Sequence, residues 1–232
     1  MKKIKTIAII PARGGSKRIS KKNIRDFLGS PIIKYSIDAA INSKCFDEVM
    51  VSTDDQEIAK VAKSIGAKIP FMRSTKNSAD KSTLADVILE VLKEYKKIDK
   101  LFDNICCILP TAPFVTGCTL KKAFEVFERS DANALIPVVS YSYPIQRAFR
   151  KRNDKLELIW PENEKINSQD IETTYHDCGQ FYLLKTASFL KEKRIFAKDS
   201  VPFILNESEV QDIDNEEDWR IAELKYKIQK QV

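Results

Sequence analysis

The chain has 232 residues, 43% of them hydrophobic, which is enough to bury a sizeable core in one domain or in one domain with an excursion. Its net charge of +6, from 39 Lys and Arg against 33 Asp and Glu, is spread along the length and lacks the basic and aromatic interleaving of an RNA-binding sheet, so it suits an anionic small molecule at least as well as nucleic acid. No apolar run is long enough to span a bilayer or serve as a signal peptide, and the five cysteines (Cys45, Cys106, Cys107, Cys118 and Cys178) are odd in number without C-x-x-C spacing, so a soluble cytoplasmic protein with reduced thiols and no membrane partner is expected.

Residues 4–10 are apolar and β-branched, as a strand buried on both faces should be. The following stretch, IIPARGGSKRISKKN (residues 9–23), packs two glycines and five Lys or Arg into one loop. Ser30-Pro31 offers an N-cap and a first-turn proline to a helix carrying Ile33, Ile37, Ala40 and Ile41. Residues 48–53 read as a second strand. Asp54 or Asp55 caps a helix with Ile58, Val61, Ala62 and Ile65, which Gly66 ends. A short strand at 68–71, a helix marked by Leu84, Ile88, Val91 and Tyr95, and a buried strand at 105–109 continue the alternation. This order predicts an α/β protein with a mostly parallel sheet and helices on both faces.

The rhythm breaks after the strand at 134–139. Residues 140–169 lack helical periodicity, and Pro144, the alternation at 155–160 and Pro161 predict extended strands or a hairpin. We expect one domain over 1–232, with 140–169 as a β-rich dimerisation and lid excursion. CGQFYLLKTASFL then reads as a strand running into a helix. Asp214 or Asn215 opens a last helix with acidic residues in its first turn and lysines near its end, in agreement with the helix dipole.

Ligands of open parallel sheets bind beyond the carboxyl ends of the strands, and the basic loop leaves such an end. Neither G-x-G-x-x-G nor G-x-x-x-x-G-K-[ST] is present. Gly14 and Gly15 allow a backbone that points NH groups at phosphate oxygens, Arg13 can bind bidentately, and Lys17, Arg18, Lys21 and Lys22 add charge. The plain alternative is a solvated basic turn.

IAIIPARGGSKRISKKNI, VSTDD, LPTAPF and VQDIDNEEDW together resemble the acylneuraminate cytidylyltransferase family over nearly the whole chain. YSYPIQRAF, WPEN and YHDCGQFY most resemble its pseudaminic acid branch. The resemblance implies a Rossmann-like nucleotidyltransferase fold of three layers and an enzyme that joins CTP to a nine-carbon acidic sugar, releasing pyrophosphate. It implies that Ala12, Arg13, Gly14, Gly15, Ser16, Lys17 and Lys22 meet the triphosphate and that Asn23, Arg73, Ser82 and Thr83 hold the cytidine. Arg13, Lys17 and Lys22 are the candidates for transition-state charge, because attack on the α-phosphorus builds negative charge on oxygens that preorganised cations stabilise.

Asp212 and Asp214, two apart in an extended stretch, can share one hard cation, and Mg²⁺ often takes one or two carboxylates beside phosphate oxygens. Surface acidic pairs are common and Asp214 can equally cap the last helix; the resemblance assigns the pair to Mg²⁺. Pro110 and Thr111, in a rigid turn after the fourth strand, are assigned to the sugar pocket. The sialic acid members carry a glutamine just before that turn, where this chain has Leu109, so pseudaminic acid is expected over N-acetylneuraminate. His176, Gln180 and Tyr182 are candidate sugar contacts, with a structural role open for His176, the one histidine. Three functions stand: a Mg²⁺-dependent pseudaminic acid cytidylyltransferase acting as a homodimer without nucleic acid; the same reaction on N-acetylneuraminate or legionaminate; and a non-catalytic nucleotide-sugar binding protein.

Overall fold

The computed structural model describes residues 4–230; residues 1–3 and 231–232 lie outside it. Strand β1 (Thr6–Pro11) is buried along its whole length. After the basic loop, β2 (Asp26–Phe27) and β3 (Ser30–Pro31) form a small antiparallel hairpin. This corrects the expectation that Ser30 and Pro31 open a helix. Leu28 and Gly29 adopt positive φ, and Asp26 Oδ1 accepts the Gly29 NH at 3.1 Å, so a tight turn forms instead. Phe27 and Ile32 are thereby fully buried, and helix α1 (Ile33–Ser43) starts without a side-chain cap.

Next come β4 (Glu48–Ser52) and α2 (Gln56–Ile65), capped by Asp55 rather than Asp54 and closed by Gly66 at φ 110°. The strand expected at 68–71 shrinks to one bridge from Lys68 to Met50, since Pro70 cannot donate to a ladder. A single turn, α3 (Thr75–Ser78), precedes α4 (Leu84–Lys97), which begins with a capping box of Thr83 and Asp86. β5 (Asn104–Ile108), α5 (Gly117–Ser130) and β6 (Ala134–Ser140) follow. The chain then leaves the sheet for the expected hairpin, β7 (Phe149–Arg152) and β8 (Lys155–Leu158), turned by Asn153 and Asp154 at positive φ. It returns as β9 (Tyr175–Asp177) and β10 (Phe181–Lys185), then α6 (Thr186–Glu192), β11 (Ser200–Ile204) and α7 (Glu216–Lys230).

One seven-stranded sheet results, in the order β11-β6-β10-β5-β1-β4, with β9 also on β6. β1, β4, β5, β6 and β11 run one way; β9 and β10 run against them. Strand alternation sorts the core into two faces. Ala8 and Ile10 pack with Ile33, Ile37, Leu120 and Phe124 under α1 and α5, while Ile7 and Ile9 pack with Ile88, Val91 and Tyr95 under α4. These are the three expected layers.

Two details position the site. β9 and β10 pair with β6 out of register: Asp177 faces Val138 and Leu183 faces Leu135, so residues 178–182 bulge opposite 136–137, with Gly179 at φ 60°. The second is a separate cluster of Ile19, Phe27, Ile32, Phe114, Ile213, Trp219 and Ala222. It pins the basic loop, through Ile19, to the acidic motif, through Ile213.

Candidate active site

The carboxyl ends of β1, β4 and β5 open into a cleft of about 480 Å³. Arg13, Ser16, Lys17, Arg18 and Lys22 line one wall; Arg73, Asn77, Asp80, Ser82 and Thr83 line the other; Leu109, Pro110 and Thr111 lie between, and Asp214 stands at the margin. Asn23 also lines it. Eleven of the residues that the resemblance assigns to nucleotide, sugar or metal thus meet in one place.

Each is held by an identifiable cause. Arg73 is only 7% exposed; its Nε donates to Ser52 Oγ at 3.0 Å, its Nη2 donates to Ser52 O, and its backbone NH donates to Thr53 O at 2.8 Å. Burial lowers its pKa from the ordinary arginine value, against Asp54 and Glu90, but a guanidinium keeps its proton. Asn23, also buried, donates its amide to Arg13 O at 2.9 Å and so fixes the loop. Thr83 caps α4, and Ser82 Oγ donates to Lys76 O at 2.9 Å.

The glycines act differently from expectation. Neither Gly14 nor Gly15 has positive φ, and the Gly14 NH donates to Asp54 Oδ1 at 3.0 Å rather than pointing free into the cleft. Gly14 is needed for space: a Cβ there would stand 2.7 Å from Asp55 Oδ2 and 2.9 Å from Asp55 Cβ, where Asp55 is fixed as a helix cap. A Cβ on Gly15 meets nothing within 4 Å. Ala12 is fully buried and continues the strand by donating its NH to Ser52 O, so it is scaffold rather than lining.

The acidic pair straddles the buried Ile213 in a segment that is extended but belongs to no strand. Asp214 is not the cap of the last helix. Asn215 takes that part, its Oδ1 accepting the Glu217 and Asp218 NH groups at 2.9 and 3.0 Å. Asp214 is left to the basic loop: Arg18 Nη2 donates to its Oδ1 at 2.8 Å, and Lys22 Nζ lies 3.8 Å from the same oxygen while donating to Ile213 O at 2.7 Å. Burial lowers the Lys22 pKa, opposed by Asp214 and Asp212. Asp212 lines a second cavity, of about 400 Å³, with His176, Asp177 and Tyr141. Its carboxyl is pushed up from the ordinary aspartate value by burial first and by the Asp214 charge second, with Lys22 pulling it down. Gly179 backs it; a Cβ there would lie 3.6 Å from the Asp212 carboxylate.

His176 is exposed in this second cavity, its ring 4.7 Å from that of Tyr141 and its Nδ1 2.9 Å from Asp177 O. Gln180 and Tyr182, by contrast, line neither cavity. Gln180 is 2% exposed and donates its amide to Glu209 O at 2.7 Å, while its own carbonyl accepts the Leu109 NH at 2.8 Å. It ties the turn after β5 to the segment before Asp212. Tyr182 is buried and donates to Asp177 Oδ2 at 2.7 Å; burial and that bond push its pKa up. Tyr182 lies in the regular β10 ladder opposite Cys107 and packs beside Leu184 on the α4 face of the core, while Gln180 stands just before the strand, in the segment that bulges from β6.

Sequence reasoning passed over Asn77 and Asp80. Asp80 accepts from both Arg13 and Lys17 although it lies 67 positions from Arg13, and no local spacing marks such a pair. The five cysteines are free, and burial raises the pKa of Cys106 and Cys107, as suits core thiols. Among the described residues no helix is long and apolar enough to cross a membrane.

A mostly parallel three-layer sheet with a cationic cleft at its carboxyl edge defines a nucleotide-handling type of α/β protein. The profile of the family described as Cytidylyltransferase matches residues 7–223, and the chain belongs to that family. It is 41% identical over 226 residues to a pseudaminic acid cytidylyltransferase of Campylobacter jejuni, covering 97% of each chain, and 33% identical to a CMP-N,N'-diacetyllegionaminic acid synthase of Legionella pneumophila, covering 95% of each. Its fold is similar to that of a CMP:2-keto-3-deoxy-manno-octonic acid synthetase solved with CTP, at TM-score 0.71 and 15% identity, over 98% of this chain and all of that one.

Proposed function

We propose that this cytidylyltransferase couples CTP to pseudaminic acid, a nine-carbon acidic sugar, giving CMP-pseudaminic acid and pyrophosphate. One observation carries this: the Asp212–Asp214 segment forms a ridge between the cationic cleft and the second cavity, so a triphosphate on one side and a sugar on the other meet at the acidic pair. The relative at 41% identity is named for the same sugar.

In this arrangement Arg73, with Asn23, Ser82 and Thr83, holds the cytidine, and Arg13, Ser16, Lys17 and Lys22 hold the triphosphate. His176, in the second cavity, faces the sugar, and Pro110 and Thr111, which line the cationic cleft, are placed to meet only the end of the sugar that crosses to the triphosphate. A sugar hydroxyl oxygen forms the bond to the α-phosphorus while the bond to the β-phosphate oxygen breaks, and Arg13 and Lys22 stabilise the charge that grows on the phosphate oxygens. Asp212 and Asp214 fit Mg²⁺. They are hard oxygen donors, and although burial is the larger cause of the raised Asp212 pKa, the second, repulsion from the Asp214 charge, would be relieved by a divalent cation. Among the described residues no three His, Cys, Asp or Glu side chains converge on a metal position, and beside the two aspartates phosphate oxygens and water would supply the remaining ligands. Bound there, Mg²⁺ would neutralise charge on the departing pyrophosphate.

The excursion at 140–169 is proposed to pack against a second copy and close its sugar site. Tyr143 is 84% exposed and Leu156 70%, and Gln146 Oε1, Arg147 Nε and Thr174 Oγ1 are buried without a hydrogen-bond partner. Arg147 donates to Glu164 O and Ile166 O inside the arm, while Arg150, whose Nε lies 3.4 Å from Glu157 Oε2 in a half-exposed pair, is the more open of the two to a sugar carboxylate across that contact. A cytoplasmic setting accords with the free thiols.

Pyrophosphate release from CTP with pseudaminic, legionaminic and N-acetylneuraminic acids tests the assignment. The highest specificity constant is expected for pseudaminic acid. Preference for another sugar overturns the substrate, and no release with any of them overturns the reaction in favour of a binding protein. Sedimentation of a fully active monomer at micromolar concentration would refute the arm contact.

A further inference from the structure

The two foremost cations of the basic loop already have an anion between them. Arg13 Nη1 donates to Asp80 Oδ1 at 2.9 Å, and Lys17 Nζ donates to Asp80 Oδ2, so one carboxylate bridges a guanidinium and an ammonium across the cleft. Asp80 is on the opposite wall, and that wall is braced. Glu90 of α4 accepts the Ser74 NH at 2.7 Å, the Ser74 hydroxyl at 3.0 Å and the Asn77 amide, while Ser82 donates back to Lys76 O. The carboxylate therefore projects from a held segment toward the cations. Lys17 first, and Arg13 after it, keep its pKa below the usual aspartate value, so it is ionised near neutrality.

We propose that Asp80 is a built-in competitor of the triphosphate: it occupies Arg13 and Lys17 in the empty cleft, yields them to the entering polyphosphate, and reclaims them as pyrophosphate leaves. A carboxylate and a phosphate offer a guanidinium the same pair of acceptor oxygens, so the two exclude each other at Arg13. Nucleotide entry becomes an exchange of anions rather than an addition of one. The exchange matters most for the product. A cleft with Arg13, Lys17, Arg18 and Lys22 all uncompensated would hold pyrophosphate tightly, and product release often limits turnover. Asp80 and Asp214 divide those cations between them, Asp80 taking Arg13 and Lys17 and Asp214 taking Arg18 and Lys22. Both Asp80 pairs are substantially open to solvent, which limits the penalty and keeps the carboxylate easy to displace.

The inference rests on the assignment of Arg13 and Lys17 to the triphosphate, and calorimetric titration with pyrophosphate and with CTP separates the two claims. Asp80→Asn is expected to bind pyrophosphate about three- to tenfold tighter than the parent chain, as suits the loss of two weak surface pairs, with the gain shrinking at about 0.5 M salt. Its turnover should become more sensitive to added pyrophosphate. Asp80→Ala, which removes the amide as well, should behave alike. If Asp80→Asn binds pyrophosphate no tighter, or more weakly, while Arg13→Ala weakens binding, then Asp80 positions the cations and the competitor role is wrong. If Arg13→Ala and Lys17→Ala leave both titrations unchanged, the triphosphate assignment fails and the proposal with it.

Discussion

Replacing Asp212 or Asp214 by asparagine should abolish most activity and leave stability nearly untouched. Asp214 accepts from Arg18 at 2.8 Å with side chains 67% and 42% exposed, and lies 3.8 Å from Lys22. The exposed Arg18 pair contributes about 0–1 kcal/mol after solvent screening, and the Lys22 ammonium, whose side chain is 21% exposed, keeps its bond to Ile213 O when the carboxylate charge is lost. Since Asn215 caps α7, no cap is lost. In a chain of this size about 1 kcal/mol moves the midpoint of thermal unfolding by about 2–4 °C, which bounds the effect for Asp214→Asn. For Asp212 the sign reverses. Its folded pKa is raised, chiefly by burial, so it favours the folded state below the ordinary aspartate pKa, and that contribution is lost as pH rises through the raised value. At neutral pH the ionised carboxylate is a net cost, and Asp212→Asn is expected to be neutral or slightly stabilising. Turnover should fall by orders of magnitude in both variants, with partial recovery at excess Mg²⁺. Thermal unfolding and pyrophosphate release, measured side by side, check this. Near-normal turnover of both variants at low magnesium would refute the metal assignment, and a loss of many degrees in Asp214→Asn would show that the residue is structural.

Arg73→Met should raise the Michaelis constant for CTP more than it lowers kcat, because a cytidine contact is made equally in ground and transition states; it should also cost about 1–3 kcal/mol of stability by removing the buried charged hydrogen bonds to Ser52 Oγ and Ser52 O, although Ser52 O keeps the Ala12 NH. An unchanged Michaelis constant would make Arg73 purely structural. Leu109→Gln should shift the specificity ratio from pseudaminic acid toward N-acetylneuraminate by about tenfold in a competition assay, the scale of one buried hydrogen bond. Glu48 is buried, which raises its pKa, but hydrogen bonds from Lys68 and Tyr95 outweigh this and hold it below the usual glutamate value. Its stabilisation is therefore present above the unfolded glutamate pKa and lost as pH falls through the depressed one. Glu48→Gln should flatten the acid limb of stability below the ordinary glutamate pKa, and an unaltered acid limb would refute the assignment.

Much of this architecture is written in local chemistry. The β-branched run of β1, the Asp55 cap and the Gly66 terminator each specify their element without help from the rest of the chain. What the sequence conceals depends on distant neighbours. Ser30-Pro31 has the local form of a helix start, yet burial of Phe27 and Ile32 against Trp219 draws it into a hairpin. Gln180 and Tyr182 share one face as the alternation suggests, yet that face is core and not pocket, and distant partners, Glu209 O and Asp177, make both into internal ties. Asp80 has no pattern at all, because its partners come from a loop on the other side of the cleft.

The site itself follows from apolar residues embedded in polar motifs. Ile19 interrupts the basic loop, Ile213 separates the two aspartates, and each is essentially inaccessible to solvent. Both enter the cluster with Phe27, Ile32 and Trp219, whose indole also carries the Arg25 guanidinium 4.6 Å above its ring. Burying these two side chains contributes about 1.5–3 kcal/mol apiece, more than any one of the exposed ion pairs around them. The charged groups alone would not choose this arrangement, since lysines, arginines and aspartates are equally well solvated apart. The isoleucines bring the motifs together, and the ion pairs between Arg18, Lys22 and Asp214 are their consequence. Ile213→Ala should therefore impair turnover as severely as loss of Asp214 while every charged residue remains in place.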